Sequence, residues 1–104
     1  MDIAAIARAA RQGCLRWRAH ALERMLQRGI SRASVLRTLE QGEVIEDYPD
    51  DRPFPSALLL GFAEGRPLHV VVALDATSGY AHVVTVYEPD LEHFESDFRT
   101  RRER

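Results

Sequence analysis

Residues 56–88, SALLLGFAEGRPLHVVVALDATSGYAHVVTVYE, decide the fold of this chain. They contain three runs rich in apolar and β-branched residues, a composition typical of strands. Parallel neighbours need a crossover connection of about a dozen residues, and the connections at 64–66 and 76–80 are too short for one. The sequence therefore predicts an antiparallel meander with strands at 56–63, 68–75 and 82–88, and it excludes a parallel central sheet.

Helical patterns precede these strands. The spacing of apolar residues predicts three helices, at 3–12, at 18–28, and from the N-cap Ser31 to the terminating Gly42. Residues 43–48 alternate as a fourth strand. Helices followed by strands are typical of an α+β fold, here with N-terminal helices on a four-stranded antiparallel sheet. The expected core includes Leu22, Met25, Val35, Leu36, Leu39, Leu59, Val71 and Val86. Residues 90–102 are predicted as a charged C-terminal helix or tail.

Length and composition predict one globular domain over residues 1–104. The chain is 45% hydrophobic and 29% charged, an ordinary globular balance. No apolar run approaches the roughly 20 residues of a membrane helix. Arg8 and Arg11 interrupt the apolar N-terminal stretch, so no signal peptide is expected. We therefore expect a cytoplasmic location. The single Cys14 excludes an internal disulfide and a cysteine-rich zinc site.

The charge is unevenly distributed along the chain, although its sum is only −2. Residues 1–40 carry a net charge of +5, residues 41–98 carry −10, and residues 99–104 carry +3. An acidic total argues against non-specific coating of DNA. The basic first part still leaves room for a local phosphate-binding surface. All fourteen basic residues are arginine, whose planar fork suits phosphate, although a coding bias is the simpler cause.

The first candidate group for chemistry is His20, Arg24 and Arg28 in the predicted second helix. Residues four apart share one helix face, so these three side chains form a polar ridge. Guanidiniums bind phosphate oxygens, and an imidazole can transfer a proton near neutral pH. The ridge therefore suits a phosphodiester, and a solvated helix face is the alternative.

The second candidate group for chemistry is His69, Thr85 and Tyr87, and it depends on how the last two predicted strands pair. If Asp75 lies opposite Ala81, His69 lies opposite Tyr87 and Thr85 points to the same side. A shift of one residue would separate them onto opposite faces. A lone histidine in an apolar strand is more often a hydrogen-bonded core group than a catalyst, so both roles remain open for His69.

Other chemistry has less support in the sequence. None of the four histidines stands in an HxH or HExxH spacing, and a single cysteine cannot form CxxC, so no metal site is expected. No GxSxG elbow and no glycine-rich phosphate loop occur, and no cofactor is expected. The acidic residues between 46 and 51 are interpreted as a solvated loop.

Four ordered motifs carry a resemblance to known domains. They are HAxxRMxxRGIS from His20, GEVIEDYP from Gly42, LHVVV from Leu68 and TVYxP from Thr85. Together they resemble a family of small uncharacterised bacterial domains over about residues 18–100, with 1–17 as an N-terminal helical extension. That family resembles RelE/ParE/BrnT-type toxins of the barnase–colicin–RelE nuclease style, in which helices pack on an antiparallel sheet.

The resemblance implies a metal-independent endoribonuclease-like toxin domain. It implies RNA as substrate, a possible antitoxin partner, no membrane, and a monomer or homodimer. Carried over by motif, the implied catalytic residues are His20, Arg24, His69, Thr85 and Tyr87, with Arg24 and Arg28 binding the RNA phosphate. The two histidines would share acid–base work.

Two further functions remain open, because a fold does not imply one function. One is a non-catalytic module that binds RNA or protein. The other is an immunity or regulatory protein whose acidic residues 43–51 contact a basic partner. Convergence of His20, Arg24 and His69 in one cleft would favour catalysis, whereas their separation by the sheet would favour binding.

Overall fold

Three helices and a five-stranded mixed sheet make up the fold in a computed structural model that describes residues 1–103. In chain order the elements are α1 (Ile3–Gln12), β1 (Leu15–Trp17), α2 (Ala19–Arg28), α3 (Arg32–Gln41), β2 (Glu43–Tyr48), β3 (Ser56–Ala63), β4 (Arg66–Asp75) and β5 (Tyr80–Tyr87). The sheet order is β1-β5-β4-β3-β2. The predicted α+β class and the antiparallel meander of β2 to β5 are confirmed.

Local signals set the helix ends. The Asp2 carboxylate accepts a hydrogen bond from the Ala5 amide, and the Ser31 hydroxyl accepts one from the Ser34 amide. Each satisfies an amide that has no partner inside its helix. Gly13 and Gly29 end α1 and α2 in the left-handed conformation, with φ of 72° and 66°. These ends direct the chain from each helix into the next element.

The prediction of four antiparallel strands is wrong in one respect. β1 is a fifth strand, and it runs parallel to β5 with Leu15 opposite Ala81 and Trp17 opposite Val83. Three residues are too few to show an alternating pattern, and the partner strand lies more than 60 residues away in the sequence. Parallel pairing is possible at this edge because most of the chain connects the two strands.

The C-terminal segment, residues 88–103, is the second difference. It contains no α-helix among the described residues and is instead a series of turns with a bridge between Phe94 and Arg101. The Asp90 carboxylate accepts hydrogen bonds from the amides of Glu92 and His93, and the Asp97 carboxylate accepts from those of Arg99 and Thr100. Such side-chain bonds compete with helix formation. Of the two predicted alternatives, the helix is wrong, and the tail packs against the sheet.

The main core lies between the helices and one face of the sheet. Its members from the predicted set are Met25, Val35, Leu39, Leu59 and Val86, all buried. Leu22 and Leu36 are partly buried at its margin. Val71 is also only partly buried, because it alternates with the core residues Val70 and Val72 and so points to the other face. We call that second face the outer face, and the C-terminal segment covers part of it.

A close approach between α3 and β3 fixes how the helices sit on the sheet. Thr38 and Gly61 are both buried, and a Cβ atom added at Gly61 would lie 2.9 Å from the Cβ and Cγ2 atoms of Thr38, and closer still to its Oγ1. We expect Gly61→Ala to lower the free energy of unfolding by about 1–3 kcal/mol, because overpacking forces the helix and strand apart. Urea unfolding measures this, and the cost should be smaller in a Thr38→Ala background. An equal cost in both backgrounds would contradict the contact.

Candidate functional site

A cleft of about 420 Å³ opens between α2 and the C-terminal segment. α2 contributes two arginines to its wall, the end of β5 contributes a tyrosine, and the C-terminal segment contributes the rest. The lining residues are Arg24, Arg28, Tyr87, Glu88, Pro89, Asp90, His93, Phe94 and Arg101. The cleft therefore combines basic groups with an aromatic hydroxyl.

Two of the three arginines in the cleft are available for a ligand. Arg24 is half-buried and Arg28 is exposed, and neither has an ion-pair or hydrogen-bond partner among residues 1–103 for its side chain. Their spacing of four places both guanidiniums on one face of α2. A guanidinium always carries its charge and offers five donors. An anion entering the cleft would meet two guanidiniums without ion-pair partners, in a lining that also contains the carboxylates of Glu88 and Asp90.

The third arginine, Arg101, is held by its neighbours. Its Nε atom donates to a Glu46 carboxylate oxygen at 2.6 Å and its Nη2 atom donates to the other oxygen at 3.1 Å. Its guanidinium also lies 5.0 Å from the centre of the Phe94 ring. Burial alone would raise the pKa of Glu46, but hydrogen bonds from Arg101 and Tyr48 outweigh burial and lower that pKa. Arg101 is thus a fixed part of the cleft wall, with its charge paired to that of Glu46.

His69 lies behind the wall of the cleft and is completely buried. Its Nδ1 atom is 3.1 Å from the Tyr87 hydroxyl oxygen, and its Nε2 atom is 2.7 Å from the Phe98 carbonyl oxygen. A carbonyl can only accept, so Nε2 carries the hydrogen and the neutral ring accepts at Nδ1 from Tyr87. The ring centres of Phe94 and His69 lie 4.6 Å apart, and the two ring planes meet edge-on at an angle of 90°. His69 therefore joins β5 to the C-terminal segment.

His69 lies opposite Tyr87 as predicted, but the register of β4 and β5 differs from the expected one. Asp75 lies opposite Tyr80 rather than Ala81. This register alone would leave His69 and Tyr87 out of alignment by one residue. A β-bulge then leaves Val84 unpaired, and beyond it His69 faces Tyr87. A bulge adds one residue to one strand and so restores the alignment that the turn had shifted. Thr85, opposite Val71, is half-buried on the same outer face.

The structure brings together some of the predicted site residues and separates others. Arg24, Arg28 and Tyr87 share the cleft, and His69 contacts Tyr87 from behind it. His20 is exposed on α2 and does not line the cleft, and neither does Thr85. Since His69 is buried with both ring nitrogens bonded, the two histidines do not face one common space.

The sequence patterns missed the contribution of the C-terminal segment. Phe94 and Arg101 line the cleft, Glu46 holds Arg101 from β2, and the Tyr48 hydroxyl donates to Glu46. The run of arginines at 99–102 was visible as charge, but nothing local showed that it folds back across the sheet. The acidic residues between 46 and 51 are predicted to solvate a loop, but Glu46 lies in β2 and pairs with Arg101. Glu43, at the start of the same strand, pairs with Arg99.

A small acidic group at the rim of the cleft has the ligand types of a metal site. Asp90, Glu92 and His93 are exposed, and one ligand atom from each lies within 4.8 Å of the others. The Asp90 Oδ1 atom already accepts from two backbone amides and lies 2.8 Å from the His93 Nδ1 atom. These contacts explain the group as a turn that shapes the rim.

Burial of histidine makes stability depend on pH. Burial lowers the pKa of His69 from 6.5, and burial followed by the charge of Arg18 lowers that of His82. A lowered folded-state pKa gives stability that is full above pH 6.5 and decreases as the pH falls toward the folded value. We expect the free energy of unfolding to fall between pH 7.5 and 5, above the range where the carboxylates titrate.

Urea unfolding across that range measures the loss. His82→Gln should remove one part of the slope and leave the part that His69 contributes. A free energy that stays constant from pH 7.5 to 5 would contradict neutral burial of both rings.

The chain belongs to the DUF4258 family, a domain of unknown function, which matches residues 17–88. The match includes Arg24, Arg28, Tyr87 and the last residue of β1, Trp17, whereas α1, the rest of β1 and most of the C-terminal segment lie outside it. No curated protein and no solved structure matches the chain. Within residues 1–103, no helix has the length and apolarity needed to cross a membrane.

Proposed function

We propose that this chain is an RNA-binding domain that holds a phosphodiester in the cleft between α2 and the C-terminal segment. The observation that carries the proposal is the pair of unpartnered guanidiniums, Arg24 and Arg28, beside the hydroxyl of Tyr87. Arginine forks bind phosphate oxygens with two parallel hydrogen bonds. Arg101 lines the same wall, held in place by its ion pair with Glu46.

Tyr87 extends this recognition beyond charge. Its ring lines the cleft, and its hydroxyl proton is directed to His69, so the oxygen lone pairs remain available to accept from a ribose or a base. Burial raises the pKa of Tyr87, which keeps the hydroxyl neutral at physiological pH. Aromatic rings and hydroxyl groups at a basic cleft suit single-stranded RNA better than a duplex, whose base faces are covered.

A metal-independent endoribonuclease of toxin type is the second candidate. The contact between the Tyr87 hydroxyl and His69 Nδ1 favours it. As the ribose 2′-oxygen bonds to phosphorus, Tyr87 would take the 2′-hydroxyl proton and pass its own proton to His69 Nδ1, and the P–O5′ bond would break with the 5′-oxygen taking a proton from water. Arg24 and Arg28 would stabilise the charged phosphate. The motifs that resemble RelE/ParE/BrnT-type toxins also support it. In this form the proton transfer runs through Tyr87, since His20 and His69 do not meet.

The immunity or regulatory alternative has less support. It needs free acidic groups at 43–51, but Glu43 and Glu46 pair with arginines of the C-terminal segment, and Asp47 pairs with the N-terminal amine at 3.0 Å. The Ser56 hydroxyl donates to Asp51 at 2.6 Å. Three of the five carboxylates at 43–51 are therefore paired with cations, and Asp50 and Asp51 keep their charge within the described residues.

Binding and cleavage of RNA in EDTA distinguish the candidates. Fluorescence anisotropy with a labelled single-stranded RNA should show binding that weakens as salt increases, and gel electrophoresis of the same mixture shows any cleavage. Cleavage that persists in His20→Ala and is lost in Tyr87→Phe, with binding retained, would select the ribonuclease. Intact RNA would select the binding module. RNA that stays unbound at low salt would contradict both.

A further inference from the structure

A second group of aromatic and basic residues lies at the other end of β5. The rings of Phe54 and His82 lie 5.1 Å apart at an angle of 31°. The guanidinium of Arg16 lies 4.8 Å from the centre of the Tyr80 ring. Arg16 is exposed, and the three rings are each partly exposed. None of the predicted site residues lies in this group.

The group lies on the same face of the sheet as Tyr87. Arg16 is opposite His82 in the parallel pairing of β1 with β5, and His82 is opposite Ala73. Ala73 alternates with the core residue Val72, so it points, like His69, to the outer face. The side chains of His82, Thr85 and Tyr87 therefore follow one another along the outer face of β5, with Thr85 half-buried between the rings.

α2 flanks this row of side chains with basic residues. The Arg18 amide donates to the Val83 carbonyl at 3.2 Å, which places the start of α2 beside the middle of β5. Arg24 and Arg28 share the cleft with Tyr87, which places the end of α2 beside the end of β5. The positive charge of Arg18 also acts on His82 and lowers its pKa. Arginines therefore lie beside β5 both at the second group and at the cleft.

The spacing of the two groups suits a short single strand. Five residues of a strand separate His82 from Tyr87, or about 16 Å at roughly 3.3 Å per residue. A stacked strand rises about 3.4 Å per nucleotide, so the distance corresponds to about four or five nucleotides. Proteins bind single strands through basic grooves that follow the backbone and aromatic rings that stack on bases. Both features are present at each end of the row.

We propose that the outer face of β5 binds one single-stranded RNA segment of about four to six nucleotides, with its phosphate at Arg24 and Arg28 and a base stacked at Phe54 and His82. This inference rests on the proposed function and adds a second subsite, in which Arg16 and Arg18 bind the adjacent phosphates. The negative charge of the Asp75 carboxylate raises the pKa of His82 and so opposes the effect of Arg18. The Asp75 Oδ1 atom accepts hydrogen bonds from the amides of Thr77 and Ser78.

Two lengths of RNA test the second subsite. NMR titration of the full chain with a dinucleotide and a hexanucleotide measures both affinities, including weak ones. We expect Arg16→Gln with Arg18→Gln, and separately Phe54→Leu, to weaken hexanucleotide binding about five- to 100-fold and to leave dinucleotide binding unchanged. Phe54→Leu keeps an apolar side chain in place, and the exposed Arg37→Gln on α3 is the matched control for charge. The His82 ring signals should shift only with the hexanucleotide.

The outcomes separate this inference from the function on which it rests. If Arg24→Gln weakens binding of both lengths while the second-subsite variants change neither, the extended site is contradicted and the cleft remains. If the hexanucleotide gains no affinity over the dinucleotide in the unmodified chain, the extended site is also contradicted. If neither RNA binds, the proposed function fails and the inference fails with it.

Discussion

His69→Ala is expected to lower the free energy of unfolding by about 3–5 kcal/mol, the range found when a large buried ring is truncated. The ring is completely buried, and its removal leaves the Tyr87 hydroxyl and the Phe98 carbonyl without their partner. Buried polar groups without partners cost about 1–3 kcal/mol each, part of which water entering the cavity would recover. Thermal unfolding should show a fall in Tm of about 15 °C or more.

His93→Ala is the matched control for this measurement. His93 is also a histidine of the cleft region, but its side chain is 55% exposed and its contact with Asp90 lies on the surface. Substitution there should change the free energy of unfolding by no more than about 0.5 kcal/mol. A cost below 1 kcal/mol for His69→Ala would show that the C-terminal segment does not depend on the histidine.

The buried contacts of His69 define it as a positioning residue. Phe98, whose carbonyl it binds, has a φ of 58°, in the left-handed region that costs an L-residue roughly 1–2 kcal/mol. The hydrogen bond from Nε2 offsets part of that cost and holds the segment that carries Arg101. His69 thereby fixes both Tyr87 and Arg101 at the cleft without facing the ligand itself.

Much of the fold could be predicted from local patterns. The strands at 43–48 and 56–63 and the helix at 3–12 have the predicted bounds, because capping residues and short turns act within a few residues of one another. Pairing of His69 with Tyr87 was predicted under a condition that does not hold. It is present because the bulge at Val84 offsets the register of the turn, and a bulge of this kind has no simple local signal.

What could not be predicted depends on contacts between distant parts of the chain. β1 is a strand because β5 supplies its hydrogen bonds, and its three residues carry no periodicity of their own. The position of Arg101 depends on Glu46, 55 residues earlier. The site is assembled with the help of these two long-range contacts. The sequence could therefore indicate Arg24, Arg28 and Tyr87, but not the wall of the cleft that lies opposite them.

The ion pairs of the C-terminal segment also reinterpret the charge of the chain. Residues 41–98 carry a formal net charge of −10, but Glu43 and Glu46 are neutralised by Arg99 and Arg101 within the fold. Arg24 and Arg28 are left without carboxylate partners in residues 1–103. The local charge at the cleft is therefore more positive than the total of −2 indicates.

Arg24→Gln combined with Arg28→Gln is expected to weaken RNA binding on the order of 100-fold at low salt, because each arginine supplies a charged hydrogen-bonding contact to phosphate. Each phosphate contact on a single strand contributes about 0.7 to the slope of log affinity against log salt. Arg24 and Arg28 share one phosphate in the proposed site, so the double variant should reduce that slope by about 0.7, as measured by anisotropy from 50 to 200 mM salt.

Arg24→Lys separates charge from geometry at the same position. The ammonium keeps the charge but cannot form two parallel hydrogen bonds, so affinity should fall while the salt slope stays unchanged. Arg24 is the informative site because it is half-buried against the cleft, where a fixed fork matters more than at exposed Arg28. Arg37→Gln, on α3 and away from the cleft, should leave both affinity and slope unchanged. A loss of log affinity in Arg37→Gln half as large as the loss in the double variant would mean that RNA responds to total charge alone, and the cleft would then not be the binding site.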